Sequence, residues 1–254
     1  MKHVQYLNKL TNKEESGILY SNYVVKKDVK TNLFSDYVLT DEKVALEDIT
    51  LLAPVKPENI IAIGLNYMDH AKELNKAIHT KPVVFFKAKS SLLDPKGLIV
   101  LPEISNKVDY EAELVVVIKK ECKNVKVEDA SEYIAGYTIA NDVTARDHQD
   151  LNGQWCLCKS CDTFCPLGPC IEDDLDVNNL KISAKLNGKI VQESNTSNLI
   201  FKIDYLISYL TSFMTLNAND VILTGTPSGI GKLSSSDTIE IEIENIGTLS
   251  NKVK

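Results

Sequence analysis

The sequence lacks both a long apolar run and a surplus of positive charge, and each absence excludes a class of protein. No apolar stretch approaches the ~20 residues that a membrane-spanning helix needs. The 28 Lys and Arg residues are outnumbered by 35 Asp and Glu residues, for a net charge of −7, whereas nucleic-acid binding needs clustered cations. The N-terminal stretch "MKHVQYLNKLTNKEES" also lacks the apolar core of a signal peptide. We therefore expect a cytoplasmic protein with no membrane or nucleic-acid partner.

Cysteine is scarce outside one short stretch, "WCLCKSCDTFCPLGPC", which holds five of the six cysteines. In a reducing compartment these side chains are expected to be free thiols. A zinc site is the alternative, because Cys158-x-x-Cys161 has a usable spacing. However, no second C-x-x-C or C-x-x-H pair follows it. The spacing therefore favours free thiols over zinc.

The composition is that of an ordinary globular protein, with 44% hydrophobic and 25% charged residues. Short β-type patterns dominate, and a few helical patterns are interspersed, so we predict a mostly β, α+β fold. The stretch "KISAKLNGKIVQES" predicts a hairpin that turns at Asn187-Gly188. The stretch "FKIDYLISYLTSFMTL" predicts an amphipathic helix, because its apolar residues recur at helical spacing. They are Ile203, Leu206, Ile207, Leu210, Phe213 and Met214. Residues 1–50 are predicted to form a small β-rich extension, and residues 51–254 the main part of the fold.

Acids occupy every second position at the start of "VDYEAELVVVI". In a strand, Asp109, Glu111 and Glu113 would share one face. The apolar run 114–118 predicts a strand that is covered on both sides. A carboxylate buried there needs a positive partner, which could be Lys, Arg or a metal ion.

A second stretch, "DTIEIEIENIG", has the same alternation and serves as an internal control. Glu240, Glu242 and Glu244 alternate there with isoleucines. This is the pattern of a half-buried strand with its charges in water. The alternation of glutamates alone is therefore weak support for a site.

The stretch "IANDVTARDHQD" concentrates functional groups after an apolar strand, which is typical of a site on a loop. A charged surface loop, with Arg146 paired to a nearby acid, explains this stretch alone equally well. Together with Glu111 and Glu113, Asp142 completes a set of three carboxylates. Three oxygen ligands without Cys or His favour Mg²⁺ or Mn²⁺ over Zn²⁺.

His70 and Glu73 in "NYMDHAKE" are spaced to lie on one face of a helix. A carboxylate beside an imidazole can orient it as a general base, although a chance surface pair has the same spacing. Lys159 is predicted to lie in the cysteine-rich strand, and alone it indicates nothing. The loop "TGTPSGIGK" does not fit a phosphate-binding loop, because Gly225 and Gly231 are one residue too far apart. It is expected to offer N–H groups and Thr226 to an anionic ligand.

Eight segments together resemble, in order, the fumarylacetoacetate hydrolase family over about residues 50–254. The segments are "LLAPVKPENIIAIGLNYMDHAKE", "PVVFFKAKSSL", "VDYEAELVVVI", "YIAGYTIANDVTARDHQ", "KSCDTFCPLGPCI", "LNGKIVQESNTSNLIF", "LNANDVILTGTPSGIG" and "ENIGTLSNKV". The resemblance implies that residues 51–254 are a catalytic domain, with a mixed β-sandwich roll of the family's C-terminal domain type, paired as a homodimer. One departure is Asn219, at a turn position where the family often has Gly. Asn tolerates left-handed geometry there.

The resemblance also implies roles for individual residues. It implies three metal ligands (Glu111, Glu113 and Asp142), a water-activating dyad (His70 and Glu73), a lysine that contacts substrate (Lys159), and further substrate-binding residues (Gln149, Arg146 and Thr226). The cofactor is expected to be Mg²⁺ or Mn²⁺, with Ca²⁺ able to replace them in crystals.

The implied function is a metal-dependent reaction of a small 2-oxo acid through an enolate. The dyad favours C–C hydrolysis of acylpyruvates or decarboxylation of oxaloacetate. The alternative is an isomerase or tautomerase of 2-hydroxy-dienedioates or oxaloacetate, because the same enolate serves all of these reactions. A non-catalytic metal-binding protein is the third interpretation, and the intact ligand set and dyad argue against it.

Overall fold

The structure, a computed structural model, describes residues 1–73, 75, 77–150 and 153–254. As predicted, strands dominate these residues and helices are few. The strands form three sheets. The helices are α1 Met68–Glu73, α2 Cys156–Lys159 and α3 Ile203–Phe213. No described helix has the length and apolar character needed to cross a membrane.

The first strands of the chain form a meander at one end of the largest sheet. They are β1 Lys2–Asn8, β2 Lys13–Leu19, β3 Tyr23–Asn32, β4 Asp36–Ala45 and β5 Ile49–Leu52. Strand β1 pairs with β2 and β5, and its first residues pair with a strand of the C-terminal half, in the register Lys2↔Glu172. The N-terminal residues therefore extend the large sheet, and their status as a separate extension stays a prediction.

Seven further strands complete the largest sheet among the described residues. They are β6 Ile60–Gly64, β7 Val83–Lys87, β8 Leu92–Leu93, β11 Ala112–Ile118, β12 Ile134–Asn141, β14 Cys165–Glu172 and β17 Val221–Leu223. The strand order continues from β1 as β14-β12-β11-β17-β6-β7. Every residue of β11 is buried, which explains why its sequence is apolar on both faces.

Two smaller sheets complete the fold. The three-stranded sheet contains β10 Val108–Tyr110, β13 Thr144–Ala145 and β18 Gly231–Lys232. The five-stranded sheet contains β9 Leu98–Ile99, β15 Lys181–Leu186, β16 Lys189–Asn195, β19 Thr238–Ile243 and β20 Gly247–Val253. The predicted hairpin is β15–β16, with Asn187 and Gly188 both at positive φ. Asn219 is also left-handed, with φ of 71°, as its residue type allows.

Two helices differ in detail from the predictions. In α3, the residues Ile203, Leu206, Ile207 and Leu210 are buried as predicted, but Phe213 is 55% exposed because it lies on the last turn. Lys159 was predicted in a strand, and this was wrong, since it ends α2. The amide of Lys159 donates to the carbonyl of Trp155 at 3.0 Å. This local helical bond leaves the segment outside the sheet, and β14 begins only at Cys165.

Candidate active site

The acidic segment does not form one continuous strand. Strand β10 ends at Tyr110, β11 begins at Ala112, and Glu111 lies between them. The amide of Glu111 donates to the side-chain oxygen of Asn141 at 2.9 Å, in place of a sheet partner. At this residue the chain passes from the small sheet to the large one. Asp109 and Glu113 therefore belong to different sheets, on either side of Glu111.

The three predicted carboxylates meet at this junction. Glu111 and Glu113 are only 5% and 2% exposed, and Asp142 at the end of β12 is buried completely. The amide of Asp142 donates to the carbonyl of Glu111 at 2.9 Å, which ties the loop to the junction. One carboxylate oxygen from each residue lies within 4.8 Å of the others. The structure thus brings together all three candidate metal ligands.

Protein cations neutralise two of these carboxylates. The ammonium of Lys159 lies 2.8 Å from Glu111 and 2.6 Å from Asp142. Lys87 lies 2.5 Å from the other oxygen of Asp142. Burial opposes the charge of Glu111, but the charges of Lys159 and Arg146 outweigh it and hold the pKa of Glu111 below its usual range. Sequence reasoning missed Lys87, and its only signal was a lysine that ends the apolar strand β7.

Arg146 is bound by acids rather than left free in the cavity. Its guanidinium donates to Asp109 at 2.9 Å, to Glu111, and to the side-chain oxygen of Gln149 at 2.6 Å. Both carboxylates belong to the acidic segment. The alternative of a solvated surface loop is therefore wrong for Arg146, because its partners are buried acids.

Glu113 is the carboxylate that the protein leaves without a cation, within the described part of the chain. The amide of Gly225 donates to one of its oxygens at 2.6 Å. Burial, followed by the charges of Asp142 and Glu111, raises the pKa of Glu113 well above its ordinary value. A divalent cation would offset this excess of negative charge, and an all-oxygen donor set suits Mg²⁺ or Mn²⁺. The residues present fit such an ion.

The cysteines take no part in a comparable cluster. Among the described residues, the carboxylates form the only group of three potential ligands that could hold a metal ion. All six cysteines are free thiols, as predicted. The thiols of Cys158 and Cys161 donate to the carbonyls of Trp155 and Leu157. The structure therefore gives no support to the zinc alternative.

The predicted dyad is formed on α1. Nδ1 of His70 lies 2.9 Å from Oε2 of Glu73, and His70 is buried. The other oxygen of Glu73 accepts the amide of Gly229 at 3.0 Å. Asp69, one residue earlier, lies 2.5 Å from the hydroxyl of Ser194. These contacts dock α1 and hold the imidazole in one orientation.

The loop that follows β17 serves the protein's own acids. Its amides at Gly225 and Gly229 donate to Glu113 and Glu73. The prediction that N–H groups of this loop bind an anionic ligand is therefore wrong for these two amides. Gly225 has φ of 101°, which an L-residue rarely adopts, and an added Cβ would lie 2.8 Å from Asn66. Glycine is required there for the amide to reach Glu113.

One small cavity, of about 40 Å³, joins these groups. It is lined by Ile63, Gly64, Leu65, His70, Phe85, Glu111, Glu113, Asp142, Arg146, Gln149, Trp155, Lys159 and Thr226. All predicted site residues except Glu73 are in this lining, and Glu73 contacts it through His70. The hydroxyl of Thr226 accepts a hydrogen bond from Gln192 at 3.0 Å. Sequence reasoning missed the apolar lining residues.

Comparisons with known proteins agree with this arrangement. Residues 59–254 match the model of the fumarylacetoacetate (FAA) hydrolase C-terminal family. The chain is 46% identical over 217 residues to a mitochondrial oxaloacetate tautomerase, Fahd2a, of Rattus norvegicus, covering 81% of this chain and 69% of that protein. It is 50% identical over 219 residues to an uncharacterised protein of Methanocaldococcus jannaschii, covering 86% and 92%.

A solved structure shares the whole fold. It is a 5-carboxymethyl-2-hydroxymuconate delta-isomerase from Mycobacterium smegmatis, which superposes with a TM-score of 0.91 at 38% identity. The match covers 100% of this chain and 99% of that one. The N-terminal strands are therefore part of the shared architecture.

Proposed function

The chain belongs to the fumarylacetoacetate hydrolase family and is an enzyme of that family, and from this premise we propose that it is a divalent-metal-dependent tautomerase of oxaloacetate that works through an enolate. The name of the rat relative, at 46% identity, supports a tautomerase. It also shifts the preference away from the hydrolase or decarboxylase that the sequence favoured.

The proposal depends on one observation: the same cavity is lined by an oriented histidine and by a cluster of carboxylates. His70, held by Glu73 at 2.9 Å, lies in the same lining as the carboxylates Glu111, Glu113 and Asp142. Tautomerisation needs a base that moves a proton and a site that stabilises negative charge on oxygen. The geometry supplies both within about 40 Å³.

The residues divide the work. A divalent cation held by Glu111, Glu113 and Asp142 would polarise the 2-oxo group as a Lewis acid. Nδ1 of His70 is engaged by Glu73, so Nε2 is the nitrogen available to take a proton from C3 of the keto acid. His70 then returns the proton to the oxygen at C2, which gives the enol with no change in composition. Lys159 adds positive charge beside the developing negative charge.

C–C hydrolysis or decarboxylation is the second candidate, and the dyad favours it. A histidine oriented by a carboxylate can also activate water. The same enolate would then follow cleavage of an acylpyruvate or loss of CO₂ from oxaloacetate. These reactions differ from tautomerisation in their products rather than in the residues they need.

One assay separates the candidates. Enol oxaloacetate is followed by its ultraviolet absorbance with Mg²⁺ present, and CO₂ and pyruvate are measured in the same samples. The tautomerase predicts faster loss of the enol without either product. Release of CO₂ would show that the enzyme is a decarboxylase. Cleavage of an acylpyruvate supplied as the substrate would show that it is a hydrolase. No rate above that of heat-denatured protein on any of these acids would overturn the proposal. Homodimer assembly and a cytoplasmic location stay predictions.

A further inference from the structure

Trp155 is one of the apolar residues that line the cavity. It is half-buried and precedes α2. Its ring meets the ring of Phe85 edge-on, with centroids 5.0 Å apart. The indole N–H donates to the carbonyl of Asp150 at 2.9 Å. A packed ring and a satisfied N–H together fix the position of the indole.

Gly64, at the end of β6, lets the indole lie directly on the strand. A Cβ at this residue would lie 2.8 Å from Cζ3 of Trp155 and 3.1 Å from Cη2. The benzene edge of the ring is therefore in van der Waals contact with the backbone of β6. Any larger residue at position 64 would push the indole out of its place.

The cavity lining combines charged and apolar side chains. The carboxylates, Lys159 and Arg146 are charged, and Ile63, Leu65, Phe85 and Trp155 are apolar. The two kinds lie close together, since the ammonium of Lys159 is 5.1 Å from the centroid of the Phe85 ring. The charged groups suit the 2-oxo and carboxylate groups of an acid, so the carbon atoms beyond them share the cavity with the apolar side chains.

The cavity as a whole is small. The cavity volume of about 40 Å³ is far below the roughly 300–1,000 Å³ of pockets for drug-sized ligands. A longer acid needs more space within this lining, and Phe85 and Gly64 prevent the indole from moving away on the side where they pack against it.

We propose that Trp155, seated on Gly64 and against Phe85, sets the maximum length of the 2-oxo acid that the site accepts. Acids of the size of oxaloacetate fit, and longer acylpyruvates or dienedioates are excluded. This assignment rests on the proposed function for the class of substrate, but the length limit applies to binding whatever the reaction.

The test is a binding series that does not depend on turnover. Trp155 is the only tryptophan in the chain, so its fluorescence reports directly on this lining. The wild-type protein with Mg²⁺ is titrated with oxalate, pyruvate and unbranched 2-oxo acids of increasing length. We expect quenching by the short acids. Affinity should then drop about tenfold or more for each methylene beyond the limit.

Variants assign the limit to the indole. Trp155→Ala, followed by calorimetry, should bind the longer acids with affinities close to that of pyruvate, and Trp155→Phe should move the limit by less. Phe213→Ala is the matched control, because it removes an exposed aromatic ring on α3 and should keep the wild-type series. If Trp155→Ala does not fold, Trp155→Phe and Gly64→Ala still decide, because Gly64→Ala should shorten the accepted acid.

The outcomes for the two proposals are distinct. A length limit that depends on Trp155, in a protein without tautomerase activity, upholds the limit and rejects the proposed reaction. An unchanged length series in the Trp155 variants overturns the limit even if the enzyme is a tautomerase. Failure of the wild-type protein to bind any of these acids also overturns it.

Discussion

The chain contains the same alternation of acids in two places, and the two segments have opposite environments. In the segment 239–244, which contains most of β19, Glu242 and Glu244 are exposed and Glu240 is half-buried, whereas the three alternating isoleucines are buried. Lys185 approaches Glu242 only to 3.5 Å, at the surface. In the segment 109–113, Glu111 and Glu113 are buried and face cations or each other. Two identical patterns thus produce a solvated face and a candidate metal site.

The difference arises from what covers each strand. Strand β11 lies between β12 and β17 inside the largest sheet and is buried on both faces. Strand β19 lies between β15 and β20 and buries only alternate residues. Burial of a carboxylate costs several kcal/mol unless it is paired. An acid on a strand that is buried on both faces therefore needs a charged partner. The alternation of acids along the sequence does not by itself show this need.

The largest effect is expected when one carboxylate charge is removed from the buried segment. The same change in the exposed segment is the control. Glu113→Gln keeps an oxygen for the amide of Gly225 and deprives no cation of a partner. It should reduce catalysed tautomerisation to the uncatalysed rate, because the cation loses a ligand. Glu242→Gln, measured in the same enol assay, should keep wild-type activity. An active Glu113→Gln enzyme would make the two segments equivalent.

A second effect separates proton transfer from cation binding within the cavity. His70→Asn should lower the rate by about 10²–10⁴, since a general base is lost. Its affinity for Mg²⁺, measured by calorimetry, should stay that of the wild type, because His70 is not assigned as a ligand. A parallel loss of Mg²⁺ affinity would place His70 among the ligands.

A third effect concerns stability. Lys159→Met leaves Glu111 and Asp142 without the ammonium between them. Breaking such a buried pair typically costs about 3–5 kcal/mol of unfolding free energy. Lys185→Met breaks only the exposed pair with Glu242, which should cost about 0–1 kcal/mol. Urea unfolding of both variants measures the contrast, and equal losses would contradict it.

The smallest effect tests whether buried charge outside the cavity also responds to pH. In the N-terminal strands, His3 lies 2.8 Å from Asp173 and 2.6 Å from Lys27, near the Met1 amino group and the ring of Tyr37. Burial lowers the pKa of His3 below 6.5. The folded protein therefore binds fewer protons than the unfolded chain, and this stability is present above pH 6.5 and lost as the pH falls.

The corresponding measurement is a set of urea midpoints between about pH 7 and pH 5. The wild-type midpoint should fall with pH by more than that of His3→Gln, which cannot titrate. The acid-induced loss of the two proteins would be equal if His3 remained as easily protonated as a free histidine.

Local sequence was enough to predict the set of three carboxylates and the β-rich fold, whereas the dyad was implied by the family resemblance and not by its spacing alone. Glu111 and Glu113 precede a visibly buried strand, and His70 and Glu73 are neighbours on one helix turn. In contrast, Lys87 meets Asp142 only because of the order in which distant strands pair. No local pattern encodes that order.

The remaining differences have similar physical causes. Trp155 contacts Gly64, which is distant in the sequence. The residues around neither position indicate this contact. The cysteine-rich segment that contains Lys159 was predicted to be a strand, but local helical hydrogen bonds form instead. The break at Glu111 depends on an acceptor supplied by Asn141. The contacts of Trp155 and of Glu111 are tertiary, so one sequence without a fold cannot reveal them.

The most direct test of the central claim is equilibrium dialysis of the purified protein against Mn²⁺. If the buried acids hold a cation, the wild-type protein and Glu242→Gln should each bind about one Mn²⁺ per chain with the same affinity. Glu113→Gln should bind it at least about tenfold more weakly. Equal binding by Glu113→Gln and the wild type, or no binding by the wild type, would contradict the assignment of Glu111, Glu113 and Asp142 as the metal site.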